Sequence, residues 1–132
     1  MNNITGDVGD FAIQMIPVED YDAYDLFLAN NTFYNNSNLI ATLKLSIGNI
    51  RLSSNFFNSN TADSLILIDH DPDSYLTSVF NNIFSNNNFG RSLIRLSGEL
   101  NSNIQISQNK FNANNNLYLV EIDCQYTPNL TV

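Results

Sequence analysis

The sequence predicts an all-β chain folded as a parallel β-helix of about four to five rungs, with three short strands per rung. Three observations carry that prediction: a Phe–Asn cassette recurs in register, an alternating apolar run follows each copy, and Asn crowds the places where turns belong. The cassettes read "LFLANNTFYNN", "IRLSSNFFNSN", "TSVFNNIFSNN" and "IQISQNKFNAN". Their anchors Phe33, Phe57, Phe84 and Phe111 are spaced 24, 27 and 27 residues apart. Two positions before each anchor stands Asn31, Asn55, Asn82 or Asn109, and three positions after it Asn36, Asn60, Asn87 or Asn114.

Each element follows from local chemistry. Ahead of each Phe, Leu26 and Leu28, Ile50 and Leu52, Thr77 and Val79, Ile104 and Ile106 sit at fixed offsets, with Thr77 the one polar member. A period of two marks a strand with one face buried. The segment holding Phe is a second strand, bracketed by Asn, which tolerates left-handed backbone and caps turns. Downstream comes a third, "TLKLSI", "LILID", "LIRLS" or "LVEID". Its inward pairs are Leu43 and Leu45, Ile66 and Ile68, Ile94 and Leu96, Val120 and Ile122. An extra copy, "AIQMI" at 12–16, precedes the first Phe. Rungs of this kind stack about 4.8 Å apart, and only stacked rungs bury a continuous core. The lack of helical periodicity and the Asn density exclude helical repeats of similar length. One domain, 1–132, is expected, with repeats at 26–49, 50–76, 77–103 and 104–123.

Composition narrows the partners. At 132 residues and 43% apolar content the chain can bury a core and is not disordered. Asn accounts for 24 residues. The net charge is −8, with only Lys44, Arg51, Arg91, Arg95 and Lys110 positive. A phosphate-tracking surface needs clustered cations, so nucleic acid is not an expected partner, and anionic membranes are disfavoured for the same reason. No apolar run is long enough to span a bilayer as a helix. The stretch "MNNITGDVGDF" has neither the basic start nor the apolar core of a secretion signal. The single Cys124 excludes an intrachain disulfide and reads as a small buried residue. Sequons at Asn3, Asn30, Asn35 and Asn129 match the chance expectation of about four in so Asn-rich a chain and are no sign of glycosylation.

In a stacked repeat, matched positions form columns. Phe33, Phe57, Phe84 and Phe111 form an inward ring column, worth about 0.5–1.5 kcal/mol per favourable pair beyond burial. Asn31, Asn55, Asn82 and Asn109 form an amide ladder that satisfies buried turn groups. On the outward face of the Phe strand run Thr32, Phe56, Ile83 and Lys110, a candidate partner surface, beside Tyr34, Asn58, Ser85 and Asn112. On the third strand, Lys44, Leu67, Arg95 and Glu121 face outward, and Arg95 with Glu121 is an expected exposed ion pair.

Acid gathers at one corner. Glu19, Asp20, Asp22 and Asp25, then Asp69, Asp71 and Asp73, then Glu99 and Asp123 occupy one turn class. Alternating carboxylates such as "DHDPDS" suit calcium, so Asp69, Asp71 and Asp73 are a speculative calcium site, although no EF-hand or β-roll pattern is present. A solvated acidic loop is the plainer reading, and His70 reads as part of it. No other cofactor is expected.

These repeats resemble the right-handed parallel β-helix of the pectin-lyase-like superfamily, over roughly residues 12–123. That resemblance implies right-handed winding and a stacked Asn at a tight turn, matched by Asn31, Asn55, Asn82 and Asn109. "FYNN", "FNSN", "FSNN" and "FNAN" are similar to the F-x-x-N motif of polymorphic outer-membrane autotransporter passengers. The companion G-G-A-[ILV] motif is absent. The second resemblance implies adhesion and an extracellular or cell-surface place. Two functional readings follow. One is a non-enzymatic structural or adhesive module that stacks end to end with other β-helix chains, or forms a segment of a longer solenoid. The alternative is a carbohydrate-binding or carbohydrate-active protein, a polysaccharide hydrolase or lyase, with a glycan as ligand. A lyase needs positive charge and a base, and a glycosidase two carboxylates flanking a cleft. Scarce, dispersed cations and the placing of Asp69, Asp71 and Asp73 on a turn favour the first reading, with no catalytic residue.

Overall fold

The computed structural model describes residues 3–5, 8–15, 25–45, 48–70, 76–98, 103–124 and 129–132. Fifteen strands form three five-stranded sheets, and every pairing within them is parallel. The Phe sheet holds β1 (Asn3–Thr5), β4 (Thr32–Tyr34), β7 (Phe56–Asn58), β10 (Ile83–Ser85) and β13 (Lys110–Asn112). The long sheet holds β2 (Val8–Met15), β5 (Ser37–Leu45), β8 (Thr61–His70), β11 (Asn88–Gly98) and β14 (Tyr118–Cys124). The third sheet holds β3 (Leu26–Ala29), β6 (Ile50–Ser53), β9 (Leu76–Phe80), β12 (Asn103–Ser107) and β15 (Asn129–Thr131). Each sheet takes every third strand in turn, so one coil contributes a strand to each side of a β-solenoid. This is the expected parallel β-helix.

From β3 onward, the two corners that flank each Phe strand use one two-residue device. The first residue is left-handed: Asn30, Asn35, Ser54, Ser59, Asn81, Asn86, Gln108 and Ala113 have φ between 51° and 58°. The second is a ladder Asn, and Asn31, Asn36, Asn55, Asn60, Asn82 and Asn87 are all buried. Asn suits the left-handed position because its short amide offsets a strain of about 1–2 kcal/mol.

The core fills the space between the sheets. Phe33, Phe57 and Phe84 are fully buried and their rings stack, with centroids 4.6 Å and 5.0 Å apart. Leu43, Leu45, Ile66, Ile68, Ile94 and Leu96 close the long side and Ile50, Leu52, Val79, Ile104 and Ile106 the third. Thr77 is buried with them, and its neighbours in register are Ile50 and Ile104.

Three findings depart from or extend the sequence expectation. The first coil is more than "AIQMI": it includes β1, where Ile4 pairs in register with Phe33. Leu65 and Leu93 are buried as well as Ile66 and Ile94, because the long sheet shifts register between Ser37 and Ala41 and between Phe89 and Ser92, breaking simple alternation there. Leu67 lies between Lys44 and Arg95 in register and is buried, since long stems flank it on both sides.

Candidate interaction surfaces

The ladders are the most ordered polar feature of the molecule. Asn31, Asn55 and Asn82 each donate a side-chain N–H to the Oδ1 of the next coil's Asn, at 3.2, 3.1 and 3.0 Å. Their backbone N–H groups donate to the same oxygens at 3.0, 2.9 and 2.9 Å. The remaining amide hydrogens of Asn55, Asn82 and Asn109 reach back to the carbonyls of Leu28, Leu52 and Val79. Asn36, Asn60, Asn87 and Asn114 repeat this scheme at the other corner of the Phe sheet. Every forward bond runs from the earlier coil to the later one, so each ladder has a direction.

The β13–β15 coil is where that direction leads. Asn109 and Asn114 accept from Asn82 and Asn87, but their own backbone N–H groups find no acceptor among the described residues. Phe111 continues the ring stack, 5.2 Å from Phe84, and is 41% exposed. Ile122 and Leu130, in core columns on the other two sides, are also exposed. All three strands of this coil are sheet edges, and so at the opposite end are β1, β2 and β3.

The outward row of the Phe sheet lies as expected, with Thr32, Phe56, Ile83 and Lys110 in register. Phe56 is half-buried and Ile83 exposed. Arg95 and Glu121 are neighbours across strands, but the expected ion pair between them is not the one formed. Arg91 binds Glu121, with Nε donating at 2.6 Å, and Arg95 binds Asp123 at 2.9 Å. Each arginine reaches diagonally over the adjacent strand instead of straight across. The hydrogen bond to Glu121 raises the Arg91 guanidinium above its ordinary pKa.

Of the proposed calcium ligands, Asp71 and Asp73 lie outside the described residues, as does the side chain of Asp69, whose backbone closes β8 beside His70. Glu19, Asp20, Asp22 and Glu99 lie outside them too, as do the side chains of His70 and Cys124. Among the described residues, no group of three His, Cys, Asp or Glu side chains is placed to hold a metal.

Sequence reasoning missed one surface. On the outer face of the third sheet, the Arg51 guanidinium carbon lies 5.3 Å from the centre of the Phe27 ring and 4.8 Å from that of Phe80. The residues form part of a groove of about 520 Å³. Phe27 and Arg51 occupy equal offsets in successive cassettes, each flanked by inward residues, which is the signal that would have found them.

Family models, curated proteins and solved structures give no match to this chain.

Proposed function

We propose that this chain is a non-enzymatic structural or adhesive β-solenoid module that stacks end to end with other β-helix chains, such as a second copy of itself, or with further coils of a longer solenoid. One observation carries the reading: the β13–β15 coil ends in three unpaired parallel edges, an exposed Phe111 ring, and forward-pointing N–H donors at Asn109 and Asn114. A second copy offers three unpaired edges of the same parallel kind in β1, β2 and β3, with Ile4 in the Phe column. Exposed strand edges and apolar patches are association sites unless covered. Such a contact is heterologous, so it propagates into filaments instead of closing into a dimer. The F-x-x-N likeness to autotransporter passengers and the pectin-lyase-like repeat support a place outside the cell or on its surface.

Sedimentation of the wild type should show association that grows with concentration, and electron microscopy should show rods. Phe111→Lys combined with Ile122→Lys should sediment as a monomer with an unchanged far-ultraviolet spectrum. A wild type that stays monomeric at every accessible concentration overturns the reading.

A further inference from the structure

The groove on the third sheet is a second feature, far in character from the polar ladders. Its floor is a row of outward positions in register: Phe27, Arg51, Ser78 and Gln105 on successive strands. Phe80 and Leu76 add apolar walls to the same groove. Phe27 is 62% exposed and Leu76 40%, so the apolar walls are open to a ligand.

The charge balance is what marks Arg51. Arg91 and Arg95 are matched to Glu121 and Asp123. Arg51 has no acidic partner among the described residues and instead faces two rings. The acid in the groove, Asp25, is bound to Asn49 and not to Arg51: its Oδ1 accepts from the backbone N–H of Asn49 at 3.2 Å and from its side chain at 2.8 Å. A guanidinium beside aromatic rings keeps its planar fork of donors available at its edge, and that fork matches a carboxylate in bidentate fashion. The rings also restrict its rotamers, so less freedom is lost on binding. The groove falls within the usual size range of small-molecule sites, with apolar walls and a few convergent polar groups.

We propose that this groove binds a small carboxylate carried on a flat ring, the carboxylate on Arg51, the ring against Phe27 and Leu76, and Ser78 and Gln105 contacting polar substituents. Phe27 stands on β3, an edge that head-to-tail docking also uses, so the site is tested at concentrations where the chain is monomeric.

Benzoate is the probe, with acetate (charge without ring) and benzyl alcohol (ring without charge) as comparisons, titrated into isotopically labelled full chain and followed by amide shifts. Benzoate should bind saturably, with shifts centred on Phe27, Arg51 and Ser78, and both comparisons should bind at least about tenfold more weakly. Arg51→Gln should weaken benzoate by about tenfold or more, while Lys44→Gln, a cation on the long sheet, should leave it unchanged. No saturable shift in the wild type, shifts centred elsewhere, equal affinity in Arg51→Gln, or acetate binding as tightly as benzoate would each overturn the proposal. The wild-type shift map decides the matter even if a variant fails to fold.

Discussion

Thr42 carries a fully buried hydroxyl with no hydrogen-bond partner among the described residues. One position before the Leu43–Ile66–Ile94 row, the next two coils place Leu65 and Leu93 where this one has Thr42. A buried hydroxyl that has lost water and gained nothing costs free energy, whereas the Asn82 amide accepts from Asn55 and donates to Asn109, Leu52 and Phe80. The two therefore respond in opposite directions to similar pruning. Thr42→Val should raise stability by about 1 kcal/mol. Asn82→Ala should lower it by about 2–4 kcal/mol, because it strands the Asn55 backbone donor and the Leu52 carbonyl together. Urea unfolding of both variants at neutral pH reads the contrast, and a destabilised Thr42→Val would show that the hydroxyl has a partner.

At the scale of the strand, the same residue has different worth along one column. Phe57 is sandwiched between Phe33 and Phe84, while Phe111 has a ring on one face and is partly exposed. Phe57→Ala should cost about 3–5 kcal/mol, and Phe111→Ala less than half of that, as measured by chemical denaturation. Comparable losses would mean that the Phe111 ring is as well covered as the inner ones. This column was readable from sequence because one residue type recurs at one offset, and the flanking Asn mark its corners. Ile4 belongs to the column yet went unseen, since a lone Ile in "NNITGD" carries no repeat signal. Leu65 and Leu93 were missed for another reason: a register shift in the long sheet breaks the period of two, and no local residue announces it. Arg95 and Glu121 were correctly placed as neighbours, but long side chains choose among several acids within reach, and backbone register does not make that choice. The groove around Arg51 escaped because Phe27 and Phe80 stand at different offsets in their cassettes and converge only through the arginine between them.

For the molecule as a whole, contacts run from coil to coil and stability is a sum of neighbouring interfaces. The β13–β15 coil has one such interface where the middle coils have two. Amide exchange should be fastest in the two end coils, β1–β3 and β13–β15, and slowest in β7–β10, a gradient that hydrogen-exchange mass spectrometry measures directly. In a head-to-tail assembly the same amides should become protected, so the gradient should flatten as protein concentration rises. The corners set a different kind of rule. Both Asn corners keep two residues from β3 through β11, whereas the stretches joining the long sheet to the third sheet run over 16–25, 46–49, 71–75, 99–102 and 125–128. A foreign peptide grafted between His70 and Leu76 leaves both ladders in step. One residue inserted between Asn82 and Ile83 would turn β10 inside out, since a slip by one sends every side chain to the opposite face. Each coil thus has two vertices that are spelled and one that is blank, and new sequence can be written into the solenoid at the blank vertex without rewriting the rest.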